Sequence, residues 1–170
     1  MRTRFPLVLL IAMKLFTASA ELSRDTAPDE KLFADYYEER LRLYPMEATY
    51  AGDNRYNDQL PNNLTEEFRA SEKAFYQKYL SALKGVDRQR LPAEEQLSCD
   101  ILQWECEVQL DQLRFPTHLM PINQFESLHL SIGQWAGGTS AQPFKTVRDY
   151  ENWLKRLDAF SQWCHTAAAT

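Results

Sequence analysis

Hydrophobic positions recur at helical spacing in four stretches of this 170-residue chain. The first begins at Asp29 and sets Leu32, Phe33, Tyr36, Tyr37, Leu41 and Tyr44 on one broad apolar face. Pro45 ends it, because its ring cannot continue a helix and disfavours helical geometry in the residue before it. The second takes Thr65 as N-cap and places Glu66 and Glu67 in the first turn, where the helix dipole favours negative charge. Phe68, Phe75, Tyr76, Tyr79, Leu80 and Leu83 form its expected buried stripe, and Gly85 supplies the stop. The third opens near Pro92 and carries Leu97, Ile101, Trp104 and Val108 at spacings of four, three and four. That is the cleanest amphipathic stripe in the chain and is expected to face the core; Leu110 and Leu113 extend it, and Pro116 closes it. The fourth starts at Thr146, with Asp149 three residues on as a short capping box. Its expected buried residues are Tyr150, Trp153, Leu154, Leu157, Phe160 and Cys164, and its apolar face is still running when the sequence reaches Ala167-Ala168-Ala169-Thr170.

Two intervals break the period. Met46 to Asn63 is polar and punctuated by Gly52-Asp53-Asn54, Asn57-Asp58 and Pro61, with Glu47 to Ala51 fitting a single helical turn. Tyr50, Tyr56 and Leu60 within it predict that the interval packs onto the body. Phe115 to Phe144 gathers three prolines and three glycines and is expected to be a long irregular segment. Its apolar content, including Leu119, Met120, Ile122, Leu128, Ile132 and Trp135, is too high for a disordered linker, so it should be ordered against a surface. The expected fold class is all-α: antiparallel helices with a long irregular Pro- and Gly-containing segment, forming an incomplete part of a larger helical domain.

The first twenty residues differ from the rest. Arg2 and Arg4 precede the apolar run Phe5 to Ala12, and Ala18-Ser19-Ala20 offers small residues for cleavage. That layout is a secretory signal peptide over residues 1–20, leaving 21–170 as the exported helical region, periplasmic or secreted. The apolar run reaches only about half of the roughly 20 residues a membrane span needs, so no stable span is expected after cleavage. Lys14 interrupts the run before Leu15 and Phe16. A formal charge of -5 and a pI near 5.3 argue against a nucleic-acid partner, which requires clustered Lys and Arg. Cys99 and Cys106 are seven residues apart on one expected helix, roughly 10 Å at 1.5 Å per residue and beyond disulfide reach. Buried thiols acting as small hydrophobes are the expectation for Cys99, Cys106 and Cys164.

Candidate chemistry is sparse. His118, His129 and His165 have no His or acidic partner at zinc-site spacing; His118 and His129 fall in the proline-containing segment, where lining a channel is open to them but a surface or packing role is the expectation. Cys164 and His165 are adjacent, and neighbouring helical residues point about 100° apart. No nucleophile signature accompanies them. The Glu38-Glu39 and Glu94-Glu95 pairs read as solvated or first-turn charges. Asn63-Leu64-Thr65 fits an N-glycosylation acceptor, but Thr65 already has a role as a cap. The aromatic residues follow the helix stripes, with Trp135 among Gly133, Gly137 and Gly138 as the exception. No catalytic, cofactor-binding or metal-ligating residue is assigned.

The order of several motifs resembles the bacterial domain-of-unknown-function 885 family. Phe33-Ala34-Asp35-Tyr36-Tyr37 leads into Tyr44-Pro45-Met46-Glu47-Ala48-Thr49-Tyr50-Ala51-Gly52-Asp53, where a Pro-x-x-Ala-Thr-x-x-Gly stretch recurs in the family, and then Tyr56-Asn57-Asp58-Gln59-Leu60. Leu119-Met120-Pro121-Ile122-Asn123-Gln124 and Pro143 to Leu157 continue the likeness. Where the family often has Gly after Asn-Gln, this chain reads Phe125-Glu126-Ser127. The resemblance implies a protein several times longer, largely helical and often exported, similar to zinc-dependent metallopeptidases whose His-Glu motif lies far downstream. No catalytic residue carries over, and zinc is expected only in that downstream region.

Two functions are therefore open. In the first, the chain is the N-terminal helical part of an exported peptidase-like enzyme, partnered by the remainder of its polypeptide, forming a wall of the cleft for a peptide substrate and inactive alone. That reading predicts exposed apolar surface. In the second, it is a stand-alone exported helical module that binds a partner through its Pro- and Trp-containing segment, and it predicts a closed core.

Overall fold

The computed structural model describes residues 28–124 and 127–170. The signal peptide over residues 1–20, most of the lead-in that follows it, and the Phe125-Glu126 departure lie outside the described residues. Among those described, every regular element is helical: α1 (Pro28–Leu43), α2 (Pro45–Tyr50), α3 (Glu66–Leu83), α4 (Ala93–Gln112), α5 (Leu128–Ala136) and α6 (Val147–Ala169), with three short 3-10 turns. The all-α fold is as expected.

The caps explain the boundaries. Pro45 both ends α1 and occupies the first position of α2, where its missing N–H costs nothing. Thr65 accepts from the Phe68 N–H at the start of α3. At the start of α6, Thr146 accepts from the Asp149 N–H while the Asp149 carboxylate accepts from the Thr146 N–H, completing the capping box. Gly52 turns the chain out of α2 with φ 83°, a left-handed conformation that glycine adopts without steric penalty.

Two cores result. The first joins α1, α3 and α4 through Tyr36, Phe75, Tyr76, Tyr79, Leu83, Cys99, Leu102 and Cys106. Its rings pack edge-to-face and stacked, with Tyr36–Phe75 centroids 5.2 Å apart and Tyr36–Tyr79 at 5.0 Å. Arg69 near the start of α3 donates to the Leu113 carbonyl just past α4, so these two helices run antiparallel. The second core joins α5 and α6 through Ile132, Trp135 and Trp153, with Met46, Leu60, Phe144 and Leu157 packed against it. The polar interval after α2 therefore does pack onto the body.

Three expectations are corrected. The stripe Leu97, Ile101, Trp104 and Val108 does not face the core: the first three are 58%, 56% and 65% exposed and Val108 is half-buried. α4 is apolar on two opposite faces, and Cys99, Leu102, Cys106 and Leu110 are the ones packed with α3. On α6, Tyr150, Leu154 and Cys164 are exposed, while Trp153, Arg156 and Trp163 are buried. Finally, the segment Phe115 to Phe144 is not irregular throughout, because α5 forms inside it with Leu128, Ile132 and Trp135 at helical spacing.

Candidate functional site

Two hydrogen-bonded hubs hold the helices around a cleft. At the first, Arg40 on α1 donates from Nε and Nη2 to the two oxygens of Glu47 on α2, at 2.7 and 3.0 Å. Its Nη1 donates to Glu105 on α4 at 2.5 Å and to the Tyr36 hydroxyl at 3.1 Å. The planar fork suits this bidentate pairing in a way an ammonium would not. Tyr76 and Tyr44 extend the network, their hydroxyl oxygens 2.9 Å apart, and Tyr44 donates to Glu72 at 2.5 Å. Burial holds the Tyr36, Tyr44 and Tyr76 phenols well above the usual tyrosine range.

The second hub is Arg156, fully buried on α6. Nε donates to the Gln59 carbonyl (3.1 Å), Nη1 to Gln142 Oε1 (2.6 Å), and Nη2 to Thr49 Oγ1 (2.7 Å), with the Pro45 and Tyr56 carbonyls at 3.2 and 3.1 Å. The guanidinium lies over the Trp135 ring at 5.2 Å, and Trp135 Nε1 donates to the Tyr50 hydroxyl. Every acceptor on the fork is neutral, so burial pushes this arginine down to about 10. Trp135, singled out by its glycine neighbours, is thus a core ring and a lid on Arg156.

Beside the first hub, α3, α4, α5 and α6 enclose an open cleft of about 810 Å³. Amides and hydroxyls dominate its polar wall: Asn63, Gln109, Gln112, Asn123, Ser131 and Gln134. Leu64, Phe68, Leu113, Leu128 and Trp163 supply apolar surface, and Tyr44 with its acceptor Glu72 connects the cleft to the first hub. Asn63 Oδ1 accepts from Trp163 Nε1 at 2.8 Å, which engages the oxygen of the sequon's amide.

Of the three histidines, only His118 reaches this cleft, with Nε2 3.9 Å from Glu66 and Nδ1 buried without a hydrogen-bond partner among the described residues. His129 and His165 are exposed. Cys164 is exposed on the turn beyond buried Trp163, and Cys99 and Cys106 are buried thiols in the first core. Burial pushes the Cys106 thiol up to about 11. Ser127 Oγ is held on the backbone of Asn123 at 2.7 Å, where it braces a loop. Glu38 and Glu39 pair with Arg55 and Lys78, and Glu94 and Glu95 sit in the first turn of α4. Among the described residues no three His, Cys, Asp or Glu side chains are placed to hold a metal ion. The donor set here does not fit zinc, and no step of zinc chemistry is assigned to these residues.

Arg156 and the second hub were missed by pattern reading, which treats an Arg between Leu154 and Leu157 as a solvated side chain. The convergence of acceptors from residues 45–59 has no local sequence signal.

Fold and cleft define an all-α protein in which α2 and the loop after it are tied to α6 at one buried guanidinium. The chain belongs to the family described as bacterial protein of unknown function (DUF885), which it matches over residues 45–170. That match opens at Pro45, whose carbonyl is one of the acceptors facing Arg156. No curated protein and no solved structure matches the chain.

Proposed function

We propose that this chain is the N-terminal helical part of a larger exported enzyme resembling a zinc-dependent peptidase. It supplies scaffold and one wall of a cleft for a peptide substrate and is inactive alone. The observation that carries the reading is the exposed apolar face of α4, where Leu97, Ile101 and Trp104 stand more than half open to solvent. Contiguous apolar surface of this kind marks an interface, and a further layer of protein is the simplest cover for it. The amide-lined cleft adds support, since Asn and Gln side chains can pair with both the N–H and the C=O groups of an extended peptide. Export rests on the signal-like pattern of residues 1–20, and zinc on the resemblance alone.

Sequencing the coding DNA past the Thr170 codon is the test. A continuing helical reading frame with a His-Glu zinc motif supports the proposal, and an immediate stop codon overturns it. The second reading, a stand-alone partner-binding module, is favoured by Leu119, Met120 and Ile122, which are 54%, 74% and 60% exposed in the proline-containing segment. An immediate stop codon together with a monomeric, cooperatively folding chain is the outcome it requires.

A further inference from the structure

The exposed face of α4 carries an apolar seam with acidic borders. Leu97, Ile101, Trp104 and Val108 follow one another at intervals of four, three and four, the repeat by which one α-helix presents a seam to another. The helix carrying the seam contains six carboxylates, Glu94, Glu95, Asp100, Glu105, Glu107 and Asp111, and neither Lys nor Arg. Glu94 and Asp111 border the seam closely on its two sides, and Asp100 and Glu107 lie beyond Asp111's side, by the 100° step of the helix. Arg88 and Arg114 already partner Asp100 and Asp111. Among the described residues Glu94 and Glu107 form no ion pair, so the borders keep an unmatched negative charge.

We propose that this face seats one α-helix, supplied by the continuation of the same polypeptide, whose apolar seam is bordered by Lys and Arg. The inference rests on the chain being part of a larger protein and goes on to specify the element that docks. A second copy of α4 is disfavoured, because pairing two acidic borders juxtaposes like charges. An anionic membrane surface is disfavoured for the same reason. Trp104 is the central anchor: it is 65% exposed, in the middle of the seam, and of a residue type enriched among interface hot spots.

Trp104 is also the reporter. The other three tryptophans, Trp135, Trp153 and Trp163, are buried, so quenching of fluorescence by acrylamide reads Trp104 selectively. The probes are two synthetic amphipathic helices of equal length with Leu and Ile along the seam, one bordered by Lys and one by Glu. The expected result is saturable protection of Trp104 by the Lys-bordered helix, weakened by added salt, and little or none by the Glu-bordered one. Leu97→Ala with Ile101→Ala should weaken binding roughly tenfold or more, whereas Leu154→Ala on the exposed face of α6 should leave it unchanged. Equal binding of both probes, or unchanged binding by the Leu97/Ile101 variant, overturns the inference. Its source is tested on the complete gene product. If a longer polypeptide is encoded and its Trp104 is as accessible to acrylamide as in the 170-residue chain, the docking inference fails while the larger-enzyme reading stands. If no continuation is encoded, both fail.

Discussion

Thr49 Oγ1 on α2 lies 2.7 Å from Arg156 Nη2 on α6, a contact that joins positions 107 residues apart in the chain. Thr49 is itself buried and within 2.7 Å of Asn57 Oδ1, so its hydroxyl can accept from Arg156 while donating to Asn57. Asn57 Nδ2 in turn donates to Asn54 Oδ1. The Pro-x-x-Ala-Thr-x-x-Gly stretch thus has a structural reading: Pro45 starts α2 and offers its carbonyl, Ala48 fits a fully buried site, Thr49 bridges, and Gly52 turns the chain.

Arg156→Ala should destabilise the protein by about 3 kcal/mol or more, because it strands several buried acceptors at once. Urea unfolding should show a lower midpoint at unchanged slope. Arg156→Lys should recover only part of the loss, since one ammonium cannot reach acceptors spread around a planar fork. A loss below about 1 kcal/mol for the alanine variant would remove Arg156 from its role as hub.

The two faces of α4 should respond differently to truncation. Leu102→Ala, in the first core, should cost about 2–5 kcal/mol, whereas Ile101→Ala next to it should stay within about 0.5 kcal/mol. Paired denaturation curves of the two variants check which face is inside, and equal costs would contradict the packing described here.

Alkaline pH should unfold the protein through its buried phenols. A tyrosine of the unfolded chain ionises near pH 10, while Tyr36, Tyr44 and Tyr76 are held higher by burial. Their contribution is complete below about pH 10 and is lost as pH rises toward the folded values. Arg156, pushed down to about 10, acts with the opposite sign between that value and the normal arginine range. Three tyrosines outweigh it, so net stability should fall. Phenolate absorbance from these three should appear only together with loss of helical circular dichroism; ionisation of all eight tyrosines in the still-folded protein would contradict their burial.

A thiol-alkylating reagent should modify one cysteine in the native protein and three after unfolding. Cys164 is exposed, whereas Cys99 and Cys106 are buried and the Cys106 thiol is pushed up to about 11, which keeps it from forming the reactive thiolate. Mass spectrometry of the alkylated native protein should place the label on Cys164 alone.

Where local chemistry decides structure, the sequence was legible. Thr65 and Thr146 cap their helices because a hydroxyl followed by acidic residues satisfies the first N–H groups without help from the rest of the fold. α4 misled because Leu97-Ile101-Trp104 and Cys99-Leu102-Cys106 are both apolar rows, and periodicity cannot say which of two such rows meets α3. α5 escaped notice because Gly133 and the flanking prolines masked the spacing of Leu128, Ile132 and Trp135. The cleft was outside reach altogether, since its walls come from residues between positions 44 and 163 that no local pattern brings together.

Arg156 also sets an order of events during synthesis. The carbonyls of Pro45, Tyr56 and Gln59 and the hydroxyl of Thr49 emerge roughly a hundred residues before their common donor. Until α6 is made, water must serve these acceptors, and the α2 turn is held by Arg40 on one side and, once α5 exists, by Trp135 on the other. A nascent chain arrested ahead of residue 156 therefore carries an unfinished N-terminal region, and α6 acts as the clasp that closes the first part of the fold.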